Sequence, residues 1–339
     1  MGQQPAARAA VMSDVARLAG VSHQTVSRVL NNHPSVREET RERVLRAVHQ
    51  LNYRPNALAR GLAGRRSRVI GVVSFDTILY GPAATLLGVE RAARAAGYGI
   101  SIVTLERLDR AGMTSAIDAL TEQSVAGVVL IAPMLTAAVA VHGLPTGVPA
   151  VVVESGGAGE LPSISVDQVA GARLAVEHLL SLGHETVWHI AGPRDWLEAR
   201  DRIDGWRLAL DAAGRAAPPV LTGDWSPRAG YQIGQSLADR PDVTAVFCAN
   251  DHQALGLLRA LHQREVRVPQ DVSVVGFDDI PEAEYLSPPL TTVRQDFDEV
   301  GRRCVATLLD LFGEPTGHPT DPQVAPTLVV RASSGVRHR

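Results

Sequence analysis

The chain has 339 residues, 45% hydrophobic and 20% charged, without an apolar run as long as a membrane helix, so a globular protein of two or three domains is expected. All 33 basic residues are arginine, which excludes a Walker A phosphate loop, a pyridoxal-phosphate Schiff base and a lysine nucleophile. Residues 1–66 hold 11 arginines against four acidic residues, a formal +7, which points to a polyanionic partner for this part only.

Three short helices are predicted within residues 13–52. Ser13 can cap the first, which stops at Gly20, and Ser22 can cap the second, which runs from His23 to about residue 31. The capping box Ser35–Glu38 opens a longer third helix with apolar residues at helical spacing.

The first two helices, joined by a tight turn at Gly20, describe a helix-turn-helix. Such a motif places the start of its second helix against base edges in the major groove, and here that start carries His23, Gln24 and Arg28. Glutamine pairs with adenine and arginine with guanine. A solvated polar surface without a partner is the alternative, but the basic excess favours double-stranded DNA.

Residues 57–64 form a short and weak helical pattern before the next domain. A helix of about seven residues is unstable alone in water, and Gly61 weakens this one further. We expect it to fold only when a partner holds it.

After residue 68, strand-like apolar runs alternate with amphipathic helices. The predicted strands are Val69–Val73, Gly99–Thr104, Gly127–Ala132, Ala150–Val153, Thr186–Ala191, Pro219–Thr222, Ala245–Ala249, Val272–Phe277 and Thr327–Arg331, with helices near 83–96, 112–123, 167–182, 201–213, 228–239, 252–264 and 297–312. The Pro-rich segment Glu314–Pro326 is predicted to be irregular. Alternation of this kind indicates parallel sheets covered on both faces, with ligands at the carboxyl ends of the strands.

The number of strands exceeds one ordinary sheet, so the predicted fold is an α/β domain of two lobes, each a parallel doubly wound sheet, preceded by a small all-α helix-turn-helix domain. The expected boundaries are a tail at 1–12, the helix-turn-helix at 13–55, a hinge and linker at 56–68, the two-lobed domain at 69–331 and a tail at 332–339.

Several motifs together resemble the lactose/galactose repressor (LacI/GalR) family. They are Ser13–Asn31, Leu51-Asn-Tyr-Arg-Pro-Asn56, Ile70-Gly-Val72, Ser181-Leu-Gly-His184, Ala191-Gly-Pro193, Ala249-Asn-Asp251, Val274–Asp279 and Pro289–Gln295. The resemblance spans nearly the whole chain, and its N-terminal signature is highly specific.

The resemblance implies roles for residues of the N-terminal part. His23, Gln24 and Arg28 match the family's base readers, and the matching phosphate or near-base contacts are Thr25, Ser27 and Asn31. Asn56–Gly64 matches a hinge helix that folds on the operator, and Leu62 matches a leucine wedged into the minor groove. An apolar wedge of this kind unstacks a base step and bends the duplex.

For the larger part, the resemblance implies a periplasmic-binding-protein-like domain that closes on an effector. Its cleft residues would be Arg202, Asn250 and Asp278, with Trp225 and Phe297 as apolar faces, and Gln295, Glu154, Tyr80 and Trp196 as further lining. Phe75 and Glu198 depart from a sugar-binding member of the family, which has small side chains at these positions, so the sugar is expected to differ from a simple galactoside. Any of these residues could instead satisfy a turn, an ion pair or the core.

The predicted function is a transcriptional regulator that represses carbohydrate-utilisation genes and leaves a palindromic operator when a mono- or disaccharide binds. One alternative is a corepressor-type regulator that binds a purine or other metabolite; a less favoured one is a sugar receptor that does not bind DNA. Thr327–Arg339 lacks the C-terminal leucine heptad of a member of the resembled family, so the resemblance implies a homodimer rather than a tetramer.

No enzyme signature satisfies its spacing. Gly156-Gly-Ala-Gly159 is not GxGxxG, His184-Glu185 and His189 are not HExxH, and GxSxG is absent. We therefore expect no catalytic residue, metal or cofactor. Two lone cysteines and the lack of an apolar signal segment indicate a cytoplasmic protein.

Overall fold

The computed structural model describes residues 10–30, 33, 35–51, 53, 67–75, 77–105, 109–131, 133–134, 148–153, 161–314, 316–317 and 321–337. The chain divides into two compact units, one within residues 1–67 and the other within 68–339. The predicted hinge Asn56–Gly64 with Leu62, the candidate contacts Asn31 and Glu154, and the glycines at 156–159 lie outside the described residues.

The first unit contains α1 (Met12–Ala19), α2 (His23–Leu30) and α3 (Glu38–Gln50). Its core consists of small apolar side chains from all three helices, with Tyr53 beside them: Val15, Ala16, Ala19, Val26, Val29, Val44 and Ala47. This packing supports the predicted helix-turn-helix, since helices this short draw their stability from tertiary contact.

Two of the predicted helix ends are confirmed. Gly20 ends α1 with φ of 63°, a left-handed conformation that glycine adopts at low cost. The backbone N–H of Thr25 donates to Ser22 Oγ at 3.1 Å, so Ser22 caps α2.

Two other caps are wrong. Ser13 lies inside α1, which begins after Val11, and the Asp14 carboxylate accepts the Val11 N–H at 3.0 Å. Ser35 does not open α3, which has Arg37 at its N-cap, because the Ser35 hydroxyl bonds His33 Nδ1 at 2.8 Å. In both cases another local hydrogen bond competes with the cap.

The second unit is two-lobed, as predicted. Its strands are β1 (Val69–Phe75), β2 (Gly99–Leu105), β3 (Gly127–Ile131), β4 (Ala150–Val153), β5 (Ser163–Val166), β6 (Trp188–Ala191), β7 (Leu221–Thr222), β8 (Ala245–Cys248), β9 (Ser273–Asp278), β10 (Thr291–Arg294), β11 (Gln323–Val324) and β12 (Thr327–Val329). Its helices are α4 (Tyr80–Ala95), α5 (Arg110–Glu122), α6 (Gln168–Ser181), α7 (Leu197–Ala212), α8 (Pro227–Ala238), α9 (Asp251–Gln263) and α10 (Phe297–Leu311), with a 3₁₀ turn at Pro281–Tyr285.

The described strands form two six-stranded sheets. The first lobe has the order β11-β5-β4-β3-β1-β2 and the second β12-β10-β9-β8-β6-β7. Every pairing is parallel except that of β10 with β12. Apolar clusters line both faces of each sheet, with α4 and α10 opposite α5 in the first lobe, and α6 and α7 opposite α8 and α9 in the second. The predicted α/β fold class is confirmed.

Along its described elements, the chain passes between the lobes three times. It leaves the first sheet after β5, returns after β10 to form α10 and then β11, and leaves again before β12. β11 lies in the segment Glu314–Pro326 that is predicted to be irregular; the prediction is wrong at Gln323–Val324, because these two residues pair with β5. β5 and β10 also escaped the sequence pattern, because Ser163–Val166 and Thr291–Arg294 contain polar residues and are not continuous apolar runs. None of the described helices could cross a membrane.

Candidate functional site

The N-terminal unit presents the start of α2 to solvent. His23, Gln24 and Arg28 are exposed, whereas Val26 and Val29 on the opposite side are buried in the unit's core. Thr25 is half-buried and its hydroxyl lies 2.9 Å from Ser22 Oγ; Ser27 is half-buried as well. The arrangement leaves three long polar side chains on one face of a short helix, as base reading requires.

A cavity with about 730 Å³ of empty space, partly open to solvent, lies between the lobes of the second unit. Eight of the predicted effector residues line it, namely Tyr80, Trp196, Arg202, Trp225, Asn250, Asp278, Gln295 and Phe297. Phe75 does not line the cavity and instead packs behind Trp196, with ring centroids 6.4 Å apart.

Strand ends place several of these side chains. Asn250 follows β8 and caps α9, Asp278 is the last residue of β9, and Gln295 follows β10. Because parallel strands end at the same edge of a sheet, residues distant in sequence meet there.

Arg202, on α7, is 5% exposed and surrounded by acceptors. Its Nε donates to Gln168 Oε1 at 2.9 Å, Nη1 donates to the carbonyl of Ala249, and Nη2 lies 3.9 Å from Asp278 Oδ1. Its guanidinium also stacks 3.9 Å from the centroid of the Phe277 ring. Burial lowers the pKa of Arg202, while Asp278 raises it. These contacts hold the cation in one orientation.

Asp278 is buried beside this cation. Burial raises its pKa to about 6, against the opposing effects of Arg202 and of a 2.7 Å hydrogen bond from Gln295 Nε2. Its φ of 112° and that of Asp279, 52°, are unusual for residues with side chains. Asp279 is held by ion pairs to Arg294 at 2.6 Å and Arg331 at 2.7 Å, so the turn that aims Asp278 at the cavity is anchored from behind.

Asn250 has a structural role in addition to lining the cavity. Its Oδ1 accepts the Gln253 N–H at 2.9 Å, and its Nδ2 donates to the Trp225 carbonyl at 3.1 Å. An amide nitrogen carries two hydrogens, so one N–H remains for a ligand.

Aromatic rings form two walls. Trp196 and Trp225 meet edge-on with centroids 5.5 Å apart, and Tyr80 and Phe297 meet edge-on at 6.0 Å. The Trp225 Nε1–H is buried without a hydrogen-bond partner among the described residues. A ligand oxygen could satisfy that donor, since buried polar groups are normally paired.

The sequence interpretation missed Gln168 as a cavity residue. It begins α6, is 4% exposed and lines the cavity between Arg202 and Gln295. The signal that could have found it is the alternation in Ser163–Val166: read as a strand, it would have placed Gln168 just past a strand's carboxyl end.

Each of the two units contains a segment that matches a known family model. Residues 11–56 match bacterial regulatory proteins of the lacI family, and residues 176–334 match a periplasmic binding protein-like domain.

Similar proteins extend over most of the chain. The lactose operon repressor of Escherichia coli (strain K12) is 37% identical over 300 residues, covering 88% of this chain and 83% of that protein. The ribose operon repressor of the same strain is 34% identical over 331 residues, covering 96% and 100%. The HTH-type transcriptional repressor PurR of Haemophilus influenzae (strain ATCC 51907 / DSM 11121 / KW20 / Rd) is 32% identical over 331 residues, covering 96% and 98%.

Two solved structures are similar to this chain in fold over nearly its whole length. A Lac repressor dimer bound to operator and the anti-inducer ONPF superposes with a TM-score of 0.88 at 35% identity, covering 97% of this chain and 100% of that one. A complex of the regulator CelR with cellobiose has a TM-score of 0.68 at 32% identity, covering 96% and 100%.

Proposed function

The chain belongs to the LacI family of bacterial regulatory proteins, and we propose that it represses carbohydrate-utilisation genes until a sugar binds between its lobes. The family membership makes it a DNA-binding transcriptional regulator. The observation that carries the sugar assignment is the cavity in which Arg202 and Asp278 face two aromatic walls.

A sugar suits this lining better than a purely apolar ligand. Guanidinium, carboxylate and amide groups are forked and can each span two neighbouring hydroxyls, as Arg202, Asp278 and Gln295 could do here. The faces of Trp225 and Phe297 would cover C–H groups of the ring. Among the described residues that line the cavity, Arg202 is the only cation, and the carboxylates of Asp278 and Glu198 line it as well, which favours an unphosphorylated sugar.

In the N-terminal unit, His23, Gln24 and Arg28 would read base edges, with Thr25 and Ser27 near the backbone. The Lac repressor in a similar structure is a dimer on its operator. We extend this arrangement to the present chain: a homodimer on a palindromic site, since a two-fold protein matches two-fold DNA.

The chain would act by binding and not by catalysis, in the cytoplasm where its DNA lies. Its relatives are repressors. Its two thiols would be inert, because burial raises the pKa of both Cys248 and Cys304.

The test has two parts. First, thermal shifts are measured with cellobiose, lactose, ribose, ONPG and the purine hypoxanthine, because a ligand of the native state raises its Tm. Secondly, a palindromic DNA selected from a random library is titrated by anisotropy with and without each stabilising compound.

A sugar that raises Tm and weakens DNA binding is the expected result. Stabilisation by hypoxanthine alone, with tighter DNA binding, would replace the proposal with the corepressor alternative. Sedimentation that gives a monomer with full DNA affinity would contradict the dimer.

A further inference from the structure

Two of the three passages between the lobes are joined by a pair of glutamine side chains. Gln168 stands directly after the first passage and Gln295 at the second. Gln168 Nε2 donates to Gln295 Oε1 at 2.8 Å, and both side chains are buried. Each glutamine also hydrogen-bonds a charged residue of the cavity: Gln168 bonds Arg202, and Gln295 bonds Asp278.

The four side chains form a relay in which every hydrogen bond has one possible direction. Arg202 Nε–H can only donate, so Gln168 must turn its oxygen toward it. The nitrogen of Gln168 then faces the oxygen of Gln295, which leaves the nitrogen of Gln295 to donate to Asp278. An ionised carboxylate only accepts, so the chain ends there.

The relay also keeps the two charges apart. Arg202 Nη2 and Asp278 Oδ1 are 3.9 Å apart, which is beyond hydrogen-bond length. The two side chains therefore do not form the direct two-bond ion pair that arginine and carboxylate groups often make. Because the guanidinium and the carboxylate do not hydrogen-bond each other, both can hydrogen-bond a ligand.

We propose that Gln168 is a positioning residue of the effector site, which orients Arg202 and, through Gln295, Asp278 toward the cavity. This inference rests on the proposed function, since the ligand that the oriented side chains would bind is the proposed sugar. It adds a residue that acts through its neighbours and joins the two passages at the cavity.

Two isosteric variants separate the relay from simple packing. Gln168→Met removes both hydrogen bonds and keeps the length of the side chain. Gln168→Glu still accepts from Arg202, but its ionised form cannot donate to Gln295. When protonated, Glu regains a donor, so only this variant should recover at low pH.

The charged groups that bear on this titration are on several elements. Arg202 faces the new carboxylate directly, Asp278 faces it through Gln295, Glu198 and Asp251 act on Arg202, and His252 acts on Asp278. Because wild type shares all of them, each variant is compared with wild type at the same pH.

Calorimetric affinities are measured at pH 7.5 and pH 5.0 with whichever of cellobiose, lactose, ribose and ONPG gives the largest Tm shift for wild type. We expect both variants to bind about tenfold or more weakly than wild type at pH 7.5, as for the loss of a hydrogen bond to a charged group. At pH 5.0 Gln168→Glu should return to within about threefold of wild type, whereas Gln168→Met should not.

The matched control is Gln235→Glu on α8, whose amide bonds Tyr231 at 3.2 Å outside the cavity. It should equal wild type at both pH values. In ligand-free protein, the Tm deficit of Gln168→Glu should also shrink at pH 5.0, since a buried carboxylate destabilises most when ionised.

Wild-type affinity in Gln168→Met would overturn the positioning role. A Gln168→Glu deficit, in affinity or Tm, that is independent of pH would overturn the relay. A wild type that none of the four sugars stabilises would overturn both this inference and the proposed function, so the two failures are distinguishable.

Discussion

The backbone N–H of Leu197 donates to the carbonyl of Pro133 at 2.9 Å and thereby joins the two lobes beside the cavity. The neighbouring residues Met134 and Trp196 form an isolated antiparallel bridge. Leu197 begins α7, the helix that carries Arg202. A movement of the first lobe at Pro133 would therefore act on the helix that holds the guanidinium of the proposed effector site.

The indole of Trp225 is seated against the backbone of Gly192, which leads to a steric prediction. A Cβ at Gly192 would lie 2.3 Å from the Trp225 ring, closer than any side chain tolerates. Gly192→Ala should push the indole toward the cavity, lower the free energy of unfolding by about 1–3 kcal/mol and weaken sugar binding about tenfold. Urea unfolding and calorimetry measure the two effects.

Gly99→Ala is its control, because the nearest atom to a Cβ there is 4.0 Å away. It should match wild type in sugar affinity. Unchanged sugar affinity in Gly192→Ala would remove Trp225 from the effector site.

Asp278 should make the stability of the protein depend on pH. Its folded-state pKa of about 6 exceeds the ordinary value of about 4, so the folded protein binds the proton more tightly than the unfolded chain. The free energy of unfolding therefore falls as pH rises from about 4 to 6, by about 3 kcal/mol from this group.

Asp278→Asn lacks this titration but can still accept from Gln295. Its stability relative to wild type should rise by about 3 kcal/mol between pH 4 and pH 7 in urea unfolding. The pKa of Asp251 is raised by burial and then by the Asp278 charge, so the substitution also lowers the pKa of Asp251 and adds to the rise with the same sign. A difference that stays constant with pH would contradict the prediction.

Base reading by α2 predicts position-specific losses. Arg28→Ala and Gln24→Ala should each cost about 1–3 kcal/mol on the selected operator and relax preference at one base pair. Anisotropy against operators mutated one pair at a time measures this.

Arg46→Ala, exposed on α3, serves as a charge control and should lower affinity equally for all sequences, if at all. If Arg28→Ala and Gln24→Ala behave in the same uniform manner, they contact phosphates and not bases.

The cap of α2 predicts a local stability effect. Ser22→Ala removes the acceptor of the Thr25 N–H and should destabilise α2 by about 1 kcal/mol. Hydrogen exchange in the full chain should then be about fivefold faster for the α2 amides. Ser13→Ala, inside α1, is the matched control. Equal acceleration of exchange in the two variants would contradict a stabilising cap of α2 by Ser22.

Local patterns in the sequence were sufficient for the architecture. Alternating apolar runs and amphipathic stretches predicted the two lobes, because burial of a strand on both faces leaves a continuous apolar run that is visible within a few residues. Gly20 and Ser22 were predictable for the same reason: each acts on backbone groups no more than a few positions away.

Tertiary structure decided which groups meet. Gln323–Val324 is too short to carry a pattern and is a strand only because β5 offers it hydrogen bonds. Gln168 entered the effector site because a passage between the lobes places it beside Arg202, 34 positions away in the chain. Periodicity reports how an element is buried, but the partner of a polar side chain depends on contacts that the fold creates between distant segments.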